Sequence, residues 1–363
     1  MRHLLTATEQ VAEELQATRE RTLQLIEGVD HADLHRPLDP IMSPLVWDLG
    51  HIAAYEDLWA VHRLGGEQLL RPDLAALYDA FETPREVRGE IEILDLTDAL
   101  AYLDAVRDRT LAVLAREGAS DLHELVLRHE LQHTETMRQA MFLGSLPQGD
   151  HDLPTFPADP ALVAIPAGPL PKGAPAGRFA YDNERPRHEV GVGAFRITRT
   201  PITNASFLRF VEGGGYERRE WWSDEGWAWK EEHDITHPLG WMGGDDRPVQ
   251  HVSWFEADAF ARSLGARLPT EDEWEKAATW DHGGALDGVG LVWEWTATEF
   301  RGYPGFRPYP YREYSEVFFD RGYRVLRGGS WASAPRVATR TFRNWDWPSR
   351  RQIFSGIRVV YDG

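Results

Sequence analysis

The sequence HELQH at residues 129–133 places two histidines four positions apart. On a helix, positions i and i+4 lie one above the other, so His129 and His133 present two imidazoles on one face. Such a pair is typical of a transition-metal site. The same pattern is the signature of zinc proteases, in which the intervening glutamate, here Glu130, is the general base. The third ligand therefore decides which chemistry the motif supports.

The best candidate for a third ligand lies upstream, in the segment WDLGHIAAYEDLW. His51 has apolar neighbours there, and we expect it to face the interior of a helical domain. Downstream of HELQH, the nearby acid Glu135 is predicted to point away from the histidine pair. Three neutral imidazoles leave a divalent ion its full charge, which attracts an anionic ligand such as a thiolate. Ligand counting leaves both iron and zinc open, because three histidines also hold the zinc ion of carbonic anhydrase.

Residues 336–358 are locally basic in an acidic chain. One acid, Asp346, accompanies six arginines: Arg336, Arg340, Arg343, Arg350, Arg351 and Arg358. Guanidinium groups bind carboxylates in bidentate fashion, which suits a dicarboxylic substrate. Salt bridges within the chain are the alternative, and we favour them for any single arginine. Arg85 and Arg88, three positions apart after a proline, form a second candidate site for one anion.

Residues 1–143 carry apolar residues at helical spacing, which predicts a four-helix bundle able to hold a metal site in its core. The first helix is marked by Leu4, Leu5, Val11, Leu15, Leu23 and Ile26. In the second helix, we expect Ser43 to be the cap and Pro44 the first helical residue. The third and fourth helices are predicted over about 97–116 and 120–143.

The chain changes character across GSLPQGDHDLPTFPADP, residues 144–160. We place the boundary there and predict a helical domain over 1–150 and a second domain over 151–363. In the second half, glycine and tryptophan are dense and apolar runs are short. This predicts short strands, many loops and two or three brief helices, such as SFLRFVEGG and EADAFARSLG. The fold class expected for the whole chain is α+β.

Charge, cysteine content and apolar runs argue against several classes of partner and of chemistry. The chain of 363 residues has a formal net charge of −19, which argues against nucleic acid or an anionic membrane as a partner. It contains no cysteine, so disulfides, iron–sulfur clusters and cysteine nucleophiles are excluded. No apolar run approaches the ~20 residues of a membrane span, and the N-terminal residues lack the apolar region of a signal peptide. A cytoplasmic setting is predicted.

Ten segments spread over nearly the whole chain resemble the ergothioneine-pathway sulfoxide synthases (EgtB, hercynine oxygenases). They are SPLVWDLGHI, LYDAF with PREVR, HELQHTETM, DNERPRHEV, PVQHVSW, RLPTEDEWEKA, VWEWT, YPYREYSEVFF, VLRGGSW and FRNWDWPSRRQIFSGIR. The resemblance implies a DinB-like four-helix bundle followed by a formylglycine-generating-enzyme-like domain of the C-type-lectin type. The motifs of the second half alone are less specific, because they also occur in non-metal and binding proteins. The resemblance is specific because both halves are present in the expected order.

The resemblance implies that hercynine and γ-glutamylcysteine react with O2 at a ferrous ion held by His51, His129 and His133. The sulfur is joined to imidazole C2 and oxygenated to a sulfoxide. Tyr311 resembles the catalytic tyrosine that donates a proton, with Tyr314 as its neighbour. The residues that match substrate-binding positions are Gln132, Asn344 and Trp345 for hercynine, and Arg85, Arg88, Asp346 and Arg350 for γ-glutamylcysteine. From the residues alone, Trp345 offers an aromatic face to a quaternary ammonium, and a phenol is a sensible proton donor.

One segment departs from the family pattern. Between EWEKAATWD and VWEWT lies only HGGALDGVGL, residues 282–291, where longer relatives carry an additional segment. This leaves open a selenoneine synthase that uses a selenosugar, or an ovothiol-type synthase that uses cysteine and histidine. A zinc hydrolase and a non-catalytic binding protein are the more distant alternatives. The sequence also leaves open the oligomeric state and a structural calcium ion in the second domain.

Overall fold

The computed structural model describes residues 6–148, 152–280 and 284–363. The chain divides into two compact units, Met1–Asp150 and His151–Gly363. The first unit is helical and the second contains short strands, so the predicted α+β class is confirmed. Leu4 and Leu5, part of the predicted first helix, lie outside the described residues.

The first unit is built from α1 (Ala7–Ile26), α2 (His31–His35), α3 (Leu45–Glu56), α4 (Leu96–Glu117) and α5 (Asp121–Leu143). A π-helix over Asp57–Leu64 continues α3. The four long helices contribute side chains such as Leu25, Leu49, Leu103 and Met137 to one apolar core. The predicted ranges 97–116 and 120–143 agree with α4 and α5 to within one residue, because the 3.6-residue apolar spacing marks each helix directly.

The predicted start of the second helix was wrong by one position. Pro44 is the N-cap residue of α3 and makes no side-chain capping bond, and the first helical residue is Leu45. The Ser43 hydroxyl instead accepts a hydrogen bond from Arg88 Nη1 at 2.8 Å. The Ser43 hydroxyl, which we expected to cap the helix, is therefore bound to the buried Arg88 instead.

Four charged side chains, one from each long helix, are buried together inside the bundle: Arg19, Glu56, Arg107 and Glu130. The ion pairs join Arg19 to Glu56 at 3.1 Å and to Glu130 at 2.8 Å, and join Arg107 to each glutamate at 2.7 Å. Each charge therefore has two partners of opposite sign, and the quartet as a whole is neutral. Removing one member leaves a buried charge uncompensated, so the quartet couples the four helices.

The second unit contains three small sheets among the described residues. One sheet has the order β1 (Leu162–Ile165), β4 (Phe195–Thr198), β9 (Val360–Asp362), and β2 (Gly168–Lys172) pairs with β3 (His188–Val192). The third sheet has the order β7 (Asn344–Asp346), β6 (Arg324–Arg327), β5 (Trp293–Glu299), β8 (Ser355–Gly356). All neighbouring strands are antiparallel except β5 and β8. The edge strand β7 places Trp345 opposite Val325 of β6.

Four α-helices, α6 (Asn204–Glu212), α7 (Asp224–Glu232), α8 (Trp254–Ser263) and α9 (Glu271–Thr279), lie in the described part of this unit. The prediction of two or three brief helices was therefore too low. The start signals of the missed helices are present in the sequence. Ser223 caps α7, and Thr270 forms a capping box with Glu273 at the start of α9.

Short 3-10 turns accompany these elements, at Pro72–Leu74, Arg85–Val87, Asp182–Glu184, Arg219–Trp221, Arg312–Tyr314 and Glu316–Phe318. None of the helices in the described ranges combines the length and the hydropathy needed to cross a bilayer.

Candidate metal centre

Three histidines of the first unit converge on one point. His51 lies on α3, and His129 and His133 lie one turn apart on α5. One ligand nitrogen from each ring lies within 4.8 Å of the other two, and His51 Nε2 is 3.1 Å from His129 Nε2. Two nitrogens bound at about 2.1 Å and at right angles would be about 3.0 Å apart, so this spacing suits two ligands of one ion. The donor set therefore fits a divalent transition metal.

Hydrogen bonds on the far side of two rings orient them. His51 Nδ1 lies 2.6 Å from the Tyr78 carbonyl oxygen, and His133 Nδ1 lies 3.1 Å from Asp48 Oδ1. Both acceptors require a proton on Nδ1, which leaves the Nε2 lone pair of each ring for a metal. Such outer contacts fix the tautomer and raise the basicity of a ligating imidazole. Asp48 lies three residues before His51, so one turn of α3 supplies both a ligand and the carboxylate that orients another.

Aromatic packing holds the rings in place. Trp47, His51 and Tyr55 recur every fourth residue along one face of α3. The Trp47 ring stacks on His51 at 4.9 Å and 13°, and the Tyr55 ring stacks on His129 at 3.6 Å and 9°. These contacts restrict ring rotation, and so the site is formed in advance of any ligand.

Gly50 makes room for the residue that orients His51. A Cβ atom at Gly50 would lie 2.3 Å from Tyr78 Cζ, so the tyrosine ring occupies the space beside the glycine. The Tyr78 hydroxyl also accepts a hydrogen bond from the Leu94 amide at 2.9 Å. The ring is thereby fixed, and with it the backbone carbonyl that accepts the hydrogen bond from His51 Nδ1.

Burial disfavours protonation of two of the three histidines. Burial lowers the pKa of His51 well below its usual value, and the neighbouring His133 lowers it further. Burial likewise lowers the pKa of His129, with contributions from His133 and His51. Since a metal ligand must be unprotonated, these depressed pKa values favour metal binding at neutral pH.

Glu130 does not face the histidines, although it lies between them in sequence. It is fully buried, and its carboxylate accepts hydrogen bonds from Arg19, Arg107 and the Thr22 hydroxyl, the last at 2.8 Å. Successive helical residues are about 100° apart around the axis, so a neighbour of His129 points elsewhere. The zinc-hydrolase interpretation needs this side chain as general base and is therefore wrong.

Arg85 and Arg88 differ in burial and in their hydrogen-bond partners. Arg88 is buried, donates to the carbonyl oxygens of Thr83 and Ala80, and lies 3.6 Å from the Trp47 ring centroid. Burial lowers its pKa to about 10, so it stays charged at neutral pH. Arg85 is exposed and donates to the Ile41 carbonyl at 3.2 Å. The positive charge of Arg85 contributes to the lowered pKa of Arg88, and both charges contribute to the lowered pKa of His51. The shared anion site stays a prediction.

Gln132 lies on α5 three residues after His129, which places it near the same helical face. Its side chain is half-buried. Its contact with a substrate stays a prediction.

The second unit brings Tyr311, Tyr314 and Trp345 together. The Tyr311 and Tyr314 ring centroids are 6.2 Å apart, and Tyr314 meets Trp345 edge-on at 6.1 Å. Trp345 stacks on Phe300 at 4.1 Å and 7°, and Tyr314 stacks on Tyr181 at 4.5 Å and 5°. One face of Trp345 is thus taken by the protein, and its contact with a quaternary ammonium stays a prediction.

The remaining candidate substrate residues lie on or just after β7. Strand geometry puts Asn344 and Asp346 on the face opposite to Trp345. Asp346 Oδ1 lies 3.7 Å from Arg350 Nε, and Asp346 Oδ2 accepts from Gln352 at 3.2 Å. Asp346 and Arg350, which are both predicted to bind γ-glutamylcysteine, therefore lie next to each other.

The arginine-rich segment is largely structural. Three of its arginines pair with buried glutamates of the same unit: Arg343 with Glu271 at 2.8 Å, Arg358 with Glu294 at 2.7 Å and Arg351 with Glu256 at 3.3 Å. The salt-bridge interpretation is confirmed for these three. Among the described residues, one group of His, Asp or Glu side chains is spaced to hold an ion, and it is the three histidines. The structural calcium ion stays a prediction.

Comparison with known proteins agrees with this division of the chain. The profile of the DinB superfamily matches residues 14–146, and that of the sulfatase-modifying factor enzyme 1-like domain matches residues 151–288 and 281–363. The formylglycine-generating enzyme of Streptomyces coelicolor is 33% identical over 161 residues, covering 36% of this chain and 49% of that protein. The two stretches matched by the second profile overlap at residues 281–288, next to and within the short segment 282–291. Residues 281–283 of that region lie outside the described structure.

Two relatives match along the full length. The hercynine oxygenase of Mycolicibacterium smegmatis is 40% identical over 429 residues, covering 99% of this chain and 100% of that protein. The hercynine oxygenase of Mycobacterium tuberculosis is 40% identical over 430 residues, with the same coverage. Since this chain has 363 residues, both relatives carry segments that it lacks. The similarity over both halves, in the same order, shows that the chain belongs to the hercynine oxygenase family.

Proposed function

We propose that this protein is an iron(II)- and O2-dependent sulfoxide synthase that joins the sulfur of γ-glutamylcysteine to imidazole C2 of hercynine. Overall, the C2–H and S–H bonds are lost and C–S and S=O bonds form. Dioxygen accepts four electrons and ends as the sulfoxide oxygen and one water. The observation that carries the proposal is the convergence of His51, His129 and His133, in a chain 40% identical to hercynine oxygenases along its length.

The first unit supplies the proposed metal ligands. A ferrous ion held by three imidazoles would offer positions for the thiolate and for dioxygen, and the electrons that begin dioxygen reduction. The chain's own residues set the conditions. Asp48 and the Tyr78 carbonyl keep His133 and His51 in the tautomer that points Nε2 inwards. Because imidazole ligands carry no negative charge, a divalent ion held there would keep its +2 charge and attract an anionic thiolate.

The second unit supplies the proposed proton donor and substrate contacts. Tyr311 is half-buried and lies in an aromatic cluster with Tyr314. A phenol positioned beside a developing oxygen anion can give its proton to that anion. In this proposal Asn344 and Trp345 bind hercynine, and Asp346 with Arg350 binds the charged groups of the glutamyl moiety.

The test is turnover by the full chain loaded anaerobically with Fe(II). Hercynine, γ-glutamylcysteine and O2 should give the sulfoxide, detected by mass spectrometry, with one O2 consumed per product. His51→Ala should abolish turnover and bound iron. The matched control is His62→Ala, which removes an exposed histidine of the π-helix that follows α3 and should leave both unchanged.

The short segment at 282–291 makes donor identity the point to test next. Each donor is offered separately: γ-glutamylcysteine, cysteine and a selenosugar with hercynine, and cysteine with histidine. Turnover of hercynine with the selenosugar and with no other donor would identify a selenoneine synthase. Turnover of histidine with cysteine would identify an ovothiol-type synthase. Absence of oxidative product with every pair would overturn the proposal.

A further inference from the structure

A buried acidic turn in the second unit follows Tyr181, whose ring stacks on Tyr314. The 3-10 turn Asp182–Glu184 is the DNE of the sequence DNERPRHEV, and Asp182, Asn183 and Glu184 are each at most 2% exposed. Other buried glutamates of this unit, such as Glu271 and Glu294, pair with arginines. In the described part of the chain, the hydrogen bonds to Asp182 come instead from a hydroxyl and backbone amides. Asp182 therefore has hydrogen-bond donors of a different kind from those of these glutamates.

Asp182 joins the two ends of residues 309–315, the tyrosine loop. Its Oδ2 accepts a hydrogen bond from the Tyr309 amide at 3.3 Å, and its Oδ1 accepts one from the Ser315 hydroxyl at 2.5 Å. Asn183 Nδ2 donates to the same Ser315 oxygen at 2.9 Å. Ser315 is fully buried, whereas Tyr311 between the two ends is half-buried. A loop fixed at both ends thus presents Tyr311 at its middle.

The same turn also holds the segment that enters β7. The Glu184 carboxylate accepts a hydrogen bond from the Thr341 hydroxyl, and the Asn183 carbonyl accepts one from Arg343 Nη1 at 2.8 Å. The next residue, Asn344, begins β7. The turn is therefore hydrogen-bonded both to the tyrosine loop and to the segment that leads into the strand carrying Trp345.

We propose that the Asp182–Glu184 turn is a positioning element that fixes Tyr311 and β7 relative to one another. Asp182 acts through the tyrosine loop and touches neither substrate nor metal. This inference rests on the proposed function, which makes Tyr311 the proton donor. A proton donor held within about 0.5 Å of its working position needs supporting contacts that are themselves locked, and a carboxylate that bonds both ends of a seven-residue loop meets that need.

Burial raises the pKa of Asp182 to about 6, opposed by the Ser315 hydroxyl and the amides of Tyr309 and Asn183, with Glu316 adding to the rise. The ionised Asp182 carboxylate, which accepts hydrogen bonds from the tyrosine loop, is therefore costly to bury.

The first experiment measures hydrogen exchange of the full chain. Asp182→Asn removes the charge and one acceptor, and amide exchange within residues 309–315 should accelerate about tenfold or more. Asp258→Asn is the matched control, because Asp258 is also buried with a raised pKa, but pairs with Arg262 at 2.9 Å on α8. Exchange in the loop should not change in that control. Unchanged loop exchange in Asp182→Asn would overturn the proposal, whatever the activity.

The second experiment is a double-mutant cycle on turnover. Asp182→Asn should lower kcat about tenfold with little effect on KM in the native background, and less than about twofold in the Tyr311→Phe background. Equal losses in both backgrounds would mean a general structural defect and would sink the proposal. Where Asp182→Asn does not fold, Ser315→Ala removes one of the two loop contacts and takes its place in both experiments.

The two hypotheses fail separately. If the native protein forms no oxidised product from any donor pair, the proposed function is wrong, and the exchange measurement still decides whether the turn anchors the loop.

Discussion

Arg107 Nη2 lies 2.7 Å from Glu130 Oε2, so the glutamate of HELQH is part of a buried ion quartet and not of the histidine face. We expect Glu130→Ala to lower the free energy of unfolding by about 3–5 kcal/mol, because Arg19 and Arg107 lose a buried partner. Chemical denaturation of the variant measures the loss. Asp33→Ala, which breaks the exposed pair with Arg36, should cost less than about 1 kcal/mol. A variant of native stability that lacks activity would return Glu130 to a catalytic role.

Asp48→Asn should weaken iron binding without unfolding the bundle. The amide is a poorer acceptor for the His133 Nδ1–H, and loss of such an outer contact typically reduces metal affinity 10–100-fold. Anaerobic Fe(II) titration measures the change, and Asp33→Asn on α2 is the control. Equal iron affinity in native protein and Asp48→Asn would mean that this hydrogen bond does not tune the site.

Tyr311→Phe should impair formation of the C–S bond and divert the reaction towards simple oxygenation of the thiol, because the variant lacks the proposed proton donor. The ratio of sulfoxide to sulfinic acid, determined by mass spectrometry, measures the diversion. Tyr361→Phe, on the edge of β9, is the control and should keep the native ratio. Sulfoxide formed at the native rate by Tyr311→Phe would remove the tyrosine from the mechanism.

The raised pKa of Asp182 makes a pH-dependent prediction about stability. The pKa rises from 3.8 to about 6 on folding, so its contribution to stability is present below pH ~3.8 and lost as the pH rises through ~6. The difference of 2.2 units corresponds to about 3 kcal/mol. Asp182→Asn does not ionise, so the unfolding free energy of the variant relative to native protein should rise by about this amount between pH 4 and pH 7.

Denaturant unfolding of the full chain at several pH values measures that difference. The lost hydrogen bond shifts the whole curve by a constant, whereas the ionisation changes its slope. A flat difference curve would show that the carboxyl group is not destabilised by burial.

The sequence predicted the elements whose patterns are local. The apolar period gave α4 and α5 to within one residue, and it also placed His51 on the inner side of α3. Asp48 and Tyr55 were missed although a signal existed, since they lie three residues before and four after His51 on the same face. A search of that face for acceptors and rings finds both.

Other features have no local signal. The ion quartet draws one residue from each of four helices, and its pairs are 23 to 111 positions apart in the chain. The Tyr78 contact uses a backbone carbonyl, which every residue possesses. The hydrogen bonds of Arg88 to the Ser43 hydroxyl and to backbone carbonyl groups are likewise not revealed by sequence spacing.

The close approach of Tyr78 to Gly50 has a consequence for how mutational data on this protein will look. Position 50 bears no reactive group, yet even a methyl group there displaces the ring whose backbone orients a proposed ligand. In a saturation mutagenesis screen scored by growth or product, it should rank with the histidines as intolerant to any exchange. Searches that weigh only chemically active side chains would pass over it.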